Sequence, residues 1–153
     1  GIGCKFADDY GALTFNNGIV ETKDGTIRCT IDIRFPVTLT AEKLKAMATP
    51  HLEDAQGRIE IQHIVEPLFY PEDSPLVQDL YRAYVEVTGD TSHKPMVIGG
   101  GTYAKSIPGI IAFGCEFPDT DNHIHDVNES LDIHEFQMQT AIYLKALQNM
   151  LAE

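Results

Sequence analysis

Hydrophobic and polar residues alternate most regularly in the stretch from Ile27 to Phe35. A period of two places the apolar residues on one face of a β-strand and the polar residues on the other. The stretch from Ala12 to Val20 also has the composition of a strand, and Lys23 to Gly25 between the two is typical of a turn. The pattern therefore predicts two neighbouring strands with a buried apolar face, formed by Ile27, Cys29, Ile31, Ile33 and Phe35.

A helix and a further strand are predicted next. Pro36 ends the alternation, and Thr40 is a favourable N-cap for a helix that continues to about His51. After a break at Gly57, the residues from Arg58 to Val65 alternate again and predict a strand. The order strand, strand, helix, strand indicates an α+β arrangement with helices on one face of a sheet.

Prolines and acids interrupt the pattern between Glu66 and Asp73, which predicts a boundary between two parts of the chain. A second helix is expected to begin after it, because Ser74 is a suitable cap and Pro75 a suitable first helical residue. Gly89 is expected to end this helix.

Two short apolar stretches follow, Met96–Ile98 and Ile110–Cys115, and both are predicted to be buried strands. A last helix is predicted to begin at Asp132, which forms an Asp-x-x-Glu capping pattern with Glu135. The apolar residues that this helix is expected to bury are Ile133, Phe136, Leu144, Leu147 and Leu151.

Length and charge exclude several classes of protein. The 153 residues can form one domain with a core or two small lobes. The formal net charge of −12 argues against a nucleic-acid partner, because phosphate binding needs clustered Lys and Arg. No apolar run approaches the ~20 residues of a membrane span, so no membrane partner is expected.

The three cysteines, Cys4, Cys29 and Cys115, are odd in number and lack a Cys-x-x-Cys spacing. Cys29 and Cys115 lie in apolar runs, which favours buried free thiols over a disulfide. A reducing cytoplasm is the corresponding expectation. The sequence begins with Gly1 and shows no signal-peptide pattern, so we expect its start to be a processing boundary or the boundary of a fragment.

The segment from His123 to Glu129 carries the strongest candidate chemistry. His123 and His125 lie among acids, and imidazole with carboxylate is a ligand set that Zn²⁺ and Mn²⁺ favour. Asp126 or Glu129 could orient a ligating imidazole. Surface residues are the alternative, and that interpretation is preferred for the other histidines, His51, His63, His93 and His134.

Two further features could contact a small ligand. Gly99–Gly101 exposes backbone groups beside the Thr102 hydroxyl, but it matches neither the dinucleotide-binding pattern nor the P-loop, and a structural turn is an equal alternative. Arg34, at the end of the best strand, could either pair with Asp32 at the surface or hold a carboxylate with its guanidinium fork.

Four motifs occur in a characteristic order: Leu13–Gly18, Ile33–Pro36, Gly99–Tyr103 and His125–Glu129. Together they resemble the C-terminal part of PepV-type dipeptidases, which belong to the dinuclear zinc-dependent peptidases. This family also includes carboxypeptidase G, succinyl-diaminopimelate desuccinylase and aminoacylase. The resemblance extends from about Leu13 to the final helix.

The resemblance implies a fold class, a division of the chain and a set of site residues. Residues 1–66 would be the second half of a ferredoxin-like lid domain, and residues 67–153 the C-terminal segment of an α/β catalytic domain that binds two zinc or manganese ions. His125 corresponds to a late metal ligand, and Arg34 to the arginine that binds the substrate carboxylate. Gly100, Gly101 and Thr102 correspond to a loop that positions the substrate.

The family's other metal ligands, and the glutamate that accepts a proton from metal-activated water, have no counterpart here. The resemblance therefore implies a fragment of a cytoplasmic dipeptidase that acts on dipeptides or short peptides and is inactive alone. A homo-oligomer is a further expectation. The alternatives are a stand-alone α+β module, which binds a small carboxylated ligand through Arg34 and the glycines, and a dimerisation domain.

Overall fold

The computed structural model describes residues 4–114 and 116–152 and has a mixed α and β architecture. Its strands are β1 (Ala7–Asp8), β2 (Gly11–Ala12), β3 (Thr14–Lys23) and β4 (Thr26–Arg34). Its helices are α1 (Ala41–Glu53), α2 (Pro75–Thr88) and α3 (Ile133–Leu151), with a 3₁₀ turn at Tyr103–Ser106. The strands form two antiparallel pairs, β1 with β2 and β3 with β4.

The chain forms two compact units. The first contains the described residues up to Leu68 together with Val97–Ser106, and the second contains Phe69–Met96 and the described residues from Ile107 onward. Each unit therefore combines segments that are distant in sequence. The assignment of these parts to a lid and a catalytic domain stays a prediction.

The predicted hairpin is present as β3 and β4. Thr14 lies opposite Arg34 at one end and Lys23 opposite Thr26 at the other, with a register irregularity between Asn17 and Ile19. The turn has φ of 50° at Asp24 and 74° at Gly25. Both values are in the left-handed region that a tight hairpin turn uses.

The predicted burial along β4 is wrong at its first half. Ile27 is 70% exposed and Cys29 is also exposed, whereas Ile31, Ile33 and Phe35 are half-buried. Alternation decides which side chains share a face, but burial needs a second layer against that face. Of the other cysteines, Cys115, which was also predicted to be buried, lies outside the described residues, and Cys4, for which no burial was predicted, is buried.

Helix α1 has the predicted beginning. The Thr40 hydroxyl accepts a hydrogen bond from the Lys43 N–H, which satisfies one of the free donors of the first turn. Leu44 and Ala48 are the buried residues of this helix. They anchor it in the first unit.

The core of the second unit lies between α2 and α3. Leu80, Ala83 and Ala146 are buried there, and Ile111 and Phe113 pack against them. Helix α2 begins and ends at the predicted residues: Ser74 is the N-cap, although its side chain makes no capping hydrogen bond, and Gly89 is the C-cap with φ 72°.

The predicted buried face of α3 is wrong. Its beginning is as predicted, since the Asp132 carboxylate accepts from the N–H groups of His134 and Glu135. However, the residues buried on α3 are Gln139, Ile142 and Ala146. All five apolar residues expected in the core are exposed: Ile133, Phe136, Leu144, Leu147 and Leu151.

Three predicted strands are also wrong, because Arg58–Val65, Met96–Ile98 and the described residues of Ile110–Cys115 are not in strands. A strand forms only where its backbone is hydrogen-bonded to a neighbouring strand. The sequence patterns of these segments favour strands, but they do not supply such a neighbour. Among residues 4–114 and 116–152, no helix is long and apolar enough to cross a membrane.

Candidate functional site

Arg34 lies at the end of β4 and contacts the glycine segment of the first unit. Its Nη1 donates a hydrogen bond to the carbonyl oxygen of Gly99 at 2.9 Å, across 65 positions of sequence. Its Nη2 lies 3.4 Å from the Asp32 carboxylate, and both side chains of this pair are exposed. The predicted pairing with Asp32 is therefore present, and the binding of a carboxylate by Arg34 stays a prediction.

The glycines leave open space at their positions. A Cβ at Gly101 would meet no atom within 4 Å, and one at Gly100 would be in ordinary contact with Ile98. Neither glycine has a positive φ. Packing within this chain thus gives no reason for the absence of side chains there.

Thr102 shapes the turn that follows the glycines. Its hydroxyl accepts from the N–H of Ala104 at 3.2 Å, and its carbonyl accepts from the N–H of Lys105, also at 3.2 Å. These bonds begin the 3₁₀ turn Tyr103–Ser106. A hydroxyl has one donor in addition to its acceptor sites, so Thr102 can still donate to a ligand.

The segment from His123 to Asn128 forms turns rather than the extended chain in which two histidines would point the same way. His123, His125 and Asn128 have φ of 53°, 63° and 63°. The N–H of Asp126 donates to the His123 carbonyl at 2.9 Å. His123 and His125 are both exposed.

The acids of this segment bind backbone groups. The Asp126 carboxylate accepts from the N–H of Val127 at 2.7 Å, and the Asp121 carboxylate accepts from the N–H of His123 at 3.0 Å. The ring of His123 is 3.8 Å from Asp121. Within the described residues, Asp126 therefore shapes the turn and is not bonded to the His125 ring.

The described residues do not form a complete metal centre. Across residues 4–114 and 116–152, no group of three His, Cys, Asp or Glu side chains is placed to hold an ion. A catalytic zinc normally has three protein ligands. His125 can supply one, so no reaction step through a metal follows from this chain alone.

A polar cluster around Asp90 was missed by the sequence interpretation, which treated His93 as a plain surface residue. The Asp90 carboxylate accepts from the Tyr84 hydroxyl at 2.6 Å, from the Ser92 hydroxyl at 2.7 Å and from the Ser92 N–H at 2.8 Å. The Nδ1 of His93 lies 2.7 Å from the same carboxylate. The spacing Asp-x-x-His after a helix-ending glycine was the available signal.

These bonds shift the pKa values of Asp90 and Tyr84. Hydrogen bonding, first from Tyr84 and then from Ser92 and His93, holds the pKa of Asp90 far below its ordinary value. Burial, followed by the bond to Asp90, raises the pKa of Tyr84 to about 12. Because an ionised Asp90 can only accept, Nδ1 of His93 is the donor in this pair, and Nε2 lies 3.9 Å from the Asp119 carboxylate.

Comparison with known proteins agrees with the resemblance noted in the motifs. The model of peptidase family M20/M25/M40 matches residues 6–149. A protein of Staphylococcus haemolyticus that carries the name putative dipeptidase is 34% identical over 99% of this chain. Proteins of the same name from Staphylococcus saprophyticus and Staphylococcus epidermidis are 32% and 30% identical over the same share.

In each case the match covers 33% of the relative, so the chain spans about a third of the length of the curated relatives it matches. The family match, by contrast, extends over nearly the whole of this chain. This chain belongs to peptidase family M20/M25/M40.

Proposed function

We propose that this chain is a segment of a metal-dependent dipeptidase and supplies the substrate carboxylate site and one metal ligand. The family match and the names of the relatives support a peptidase. The observation that carries the assignment of residues is the hydrogen bond from Arg34 to Gly99. It places a cation beside the glycine segment within one unit.

Arg34 has the donors that carboxylate binding requires. A guanidinium has five N–H donors in a planar fork, and the contacts to Gly99 and Asp32 use two of them. A bidentate interaction with a carboxylate needs two more. The exposed side chain can therefore bind the terminal carboxylate of a dipeptide while it keeps its contact with the glycine segment.

Gly100, Gly101 and Thr102 would lie along the bound substrate. The open space at both glycines supports this role, because a peptide could approach the backbone closely where no Cβ intervenes. The Thr102 hydroxyl would donate to a substrate carbonyl while it accepts from Ala104. These residues orient the substrate and do not themselves carry out hydrolysis.

His125 would bind one zinc or manganese ion, and its exposed position supports this role. The remaining ligands and the general base would belong to the two thirds of the relatives' length that the match does not cover. The chain alone would accordingly be inactive. The cytoplasmic location and the homo-oligomer stay predictions.

The test compares this chain alone with the complete protein that contains it. Both are assayed on a panel of dipeptides, with and without added Zn²⁺ or Mn²⁺, and on the same dipeptides with the C-terminal carboxylate converted to an amide. We expect hydrolysis by the complete protein only, with kcat/KM about 100-fold lower for the amides, since two charge-assisted hydrogen bonds are lost.

Equal rates for the chain and the complete protein would refute the segment interpretation. A complete protein that hydrolyses no dipeptide under any metal condition would refute the dipeptidase. Binding of dipeptides by the chain, measured by calorimetry, together with an inactive complete protein would instead support the small-ligand-binding module.

A further inference from the structure

Tyr103 follows the glycine segment and Thr102, and its side chain is almost entirely exposed. It is 92% exposed, whereas the next most exposed tyrosines, Tyr10 and Tyr143, are 40% and 39% exposed. A tyrosine ring is a large apolar surface, and proteins bury most such rings at least in part. A single exposed ring is ordinary in itself. Its position beside the proposed substrate site is what gives this ring a role.

The backbone around Tyr103 is held by Thr102. The Thr102 hydroxyl accepts from the N–H of Ala104 at 3.2 Å, and the Thr102 carbonyl accepts from the N–H of Lys105 at 3.2 Å. Tyr103 is the first residue of the 3₁₀ turn that these bonds begin, and its side chain stays in solvent while Ala104 is half-buried. A tyrosine ring has only two side-chain torsions to fix, so a contact with it costs little conformational entropy.

The segment from Gly99 to Tyr103 has the length that a dipeptide needs. Arg34 donates to the Gly99 carbonyl, so a substrate carboxylate bound by Arg34 lies near that end of the segment. The four residue steps from Gly99 to Tyr103 span at most ~14 Å, and the two residues of an extended dipeptide span roughly 7 Å. A large N-terminal side chain adds further reach. A dipeptide that lies along the glycines with its carboxylate at Arg34 therefore points its N-terminal side chain toward Tyr103.

The charge of this segment disfavours a cationic substrate side chain. Residues 97–106 contain no Asp or Glu, and Lys105 is their one charged residue. Lys105 is exposed, two positions after Tyr103, and Asp32 is already paired with Arg34. A lysine or arginine side chain of the substrate would meet a like charge here. An apolar side chain would instead bury surface against the ring.

We infer that Tyr103 is a specificity-determining residue that packs against the side chain of the substrate's N-terminal residue and favours dipeptides in which that side chain is large and apolar. The inference rests on the proposed function, because it takes the carboxylate site at Arg34 as given. Arg34 and the glycines contact groups that all dipeptides share, namely the terminal carboxylate and the backbone. Tyr103 adds the contact that distinguishes one dipeptide from another.

The test measures kcat/KM of the complete protein for Leu-Gly, Phe-Gly, Gly-Gly, Lys-Gly and Asp-Gly. We expect the values for Leu-Gly and Phe-Gly to be at least about 10-fold above the other three, because only these two substrates bury a large apolar side chain. A higher value for Asp-Gly than for Leu-Gly would contradict the inference, since the charge of Lys105 would then set the preference.

Three variants of the complete protein separate the effect of the ring from other effects. Tyr103→Ala should lower the ratio of kcat/KM for Leu-Gly to that for Gly-Gly about 10-fold, mainly through KM, because the contact is present in both the bound substrate and the transition state. Tyr103→Phe keeps the ring and should keep the ratio. Tyr10→Ala, in the turn between β1 and β2 of the first unit, is the matched control and should also keep it. Circular dichroism checks that each variant is folded, and no loss of stability is expected at so exposed a position as Tyr103.

The outcomes separate this inference from the proposed function. An unchanged ratio in Tyr103→Ala, in a protein that hydrolyses dipeptides, would overturn the inference and leave the function. A fall in the ratio of Gly-Leu to Gly-Gly instead would place Tyr103 beside the C-terminal side chain and would equally overturn the inference. A complete protein that hydrolyses no dipeptide would overturn the proposed function and this inference with it.

Discussion

Two stretches of the second unit place a histidine among acids, and the structure gives them different characters. In the stretch from Thr88 to His93, the Asp90 carboxylate holds Tyr84, Ser92 and the His93 ring within 2.8 Å. In the stretch from Asp121 to Glu129, the carboxylates of Asp121 and Asp126 accept from backbone N–H groups, and His125 is exposed.

This difference separates a histidine ring that is bonded to a carboxylate from one that is exposed, and the role of His125 as a metal ligand stays a prediction. The His93 ring is held by a carboxylate that also accepts from the Tyr84 hydroxyl and from the hydroxyl and N–H of Ser92, and these bonds stabilise the end of α2. The His125 ring has no comparable hydrogen bond within the described residues and stays available to a metal. Proximity of histidine and acid in sequence could not separate the two cases.

The largest effect is expected for a substitution of His125, which tests whether this histidine binds a metal. His125→Ala in the complete protein should lower kcat/KM for dipeptides by about 1,000-fold and reduce the bound metal, because a first-coordination ligand is lost. Activity and metal content by mass spectrometry are the measurements. His123→Ala is the matched control and should change neither. If the two variants were equivalent, His125 would not be the ligand.

Arg34 is the intermediate case, since it is hydrogen-bonded but still has donors for a substrate. Arg34→Ala should raise KM and lower kcat/KM by about 100-fold, through the loss of a bidentate charge-assisted interaction. Steady-state kinetics on a dipeptide and its amide measure this, and the variant should no longer distinguish the two. Arg28→Ala, at an exposed position of the same strand, is the control. If Arg34→Ala still hydrolysed the dipeptide faster than its amide, Arg34 would not be the residue that binds the substrate carboxylate.

The smallest effect on activity is expected for a substitution in the Asp90 cluster. Asp90→Asn in the complete protein should lower the thermal unfolding temperature and leave kcat/KM and metal content unchanged. The amide keeps the shape but loses the charge that Tyr84, Ser92 and His93 bind. Asp73→Asn, an exposed acid in the same unit, should have no effect. A loss of activity without a loss of stability would assign the Asp90 cluster to the site.

The same variant has a defined pH dependence. The pKa of Asp90 is lower in the folded state than its ordinary value of 3.8, so the folded state favours the ionised form. This contribution is complete above the unfolded pKa and is lost as pH falls toward the folded pKa. The difference in stability between the wild type and Asp90→Asn should therefore be constant above about pH 5 and narrow below about pH 4.

Local structure was largely predictable from the sequence, because its causes are local. The turn at Asp24–Gly25, the Thr40 and Asp132 caps and the glycine end of α2 depend on the chemistry of a few neighbouring residues, and all are present. The strands at Arg58–Val65 and Met96–Ile98 were predicted from alternation and from a short apolar run, and neither segment is in a strand. A strand must pair with a neighbouring edge, and neither pattern specifies that edge.

For the candidate site as well, the motifs predicted some features, and others depend on the fold. The residues of the site could be named from motifs, and the family match supports the resemblance that those motifs carried. The contact between Arg34 and Gly99 could not be predicted from either motif, because 65 residues separate them. The Asp90 cluster escaped detection because its hydrogen bonds depend on how the chain turns after Gly89.

The sequence by itself determined the family, the helix boundaries and the hairpin, since these depend on residue identity and short-range spacing. Only the tertiary structure decided which side of α3 is buried, that Ile27 and Cys29 are exposed, and which histidine is held by an acid. The physical reason is that periodicity assigns residues to a face, whereas burial and hydrogen bonding depend on what lies against that face.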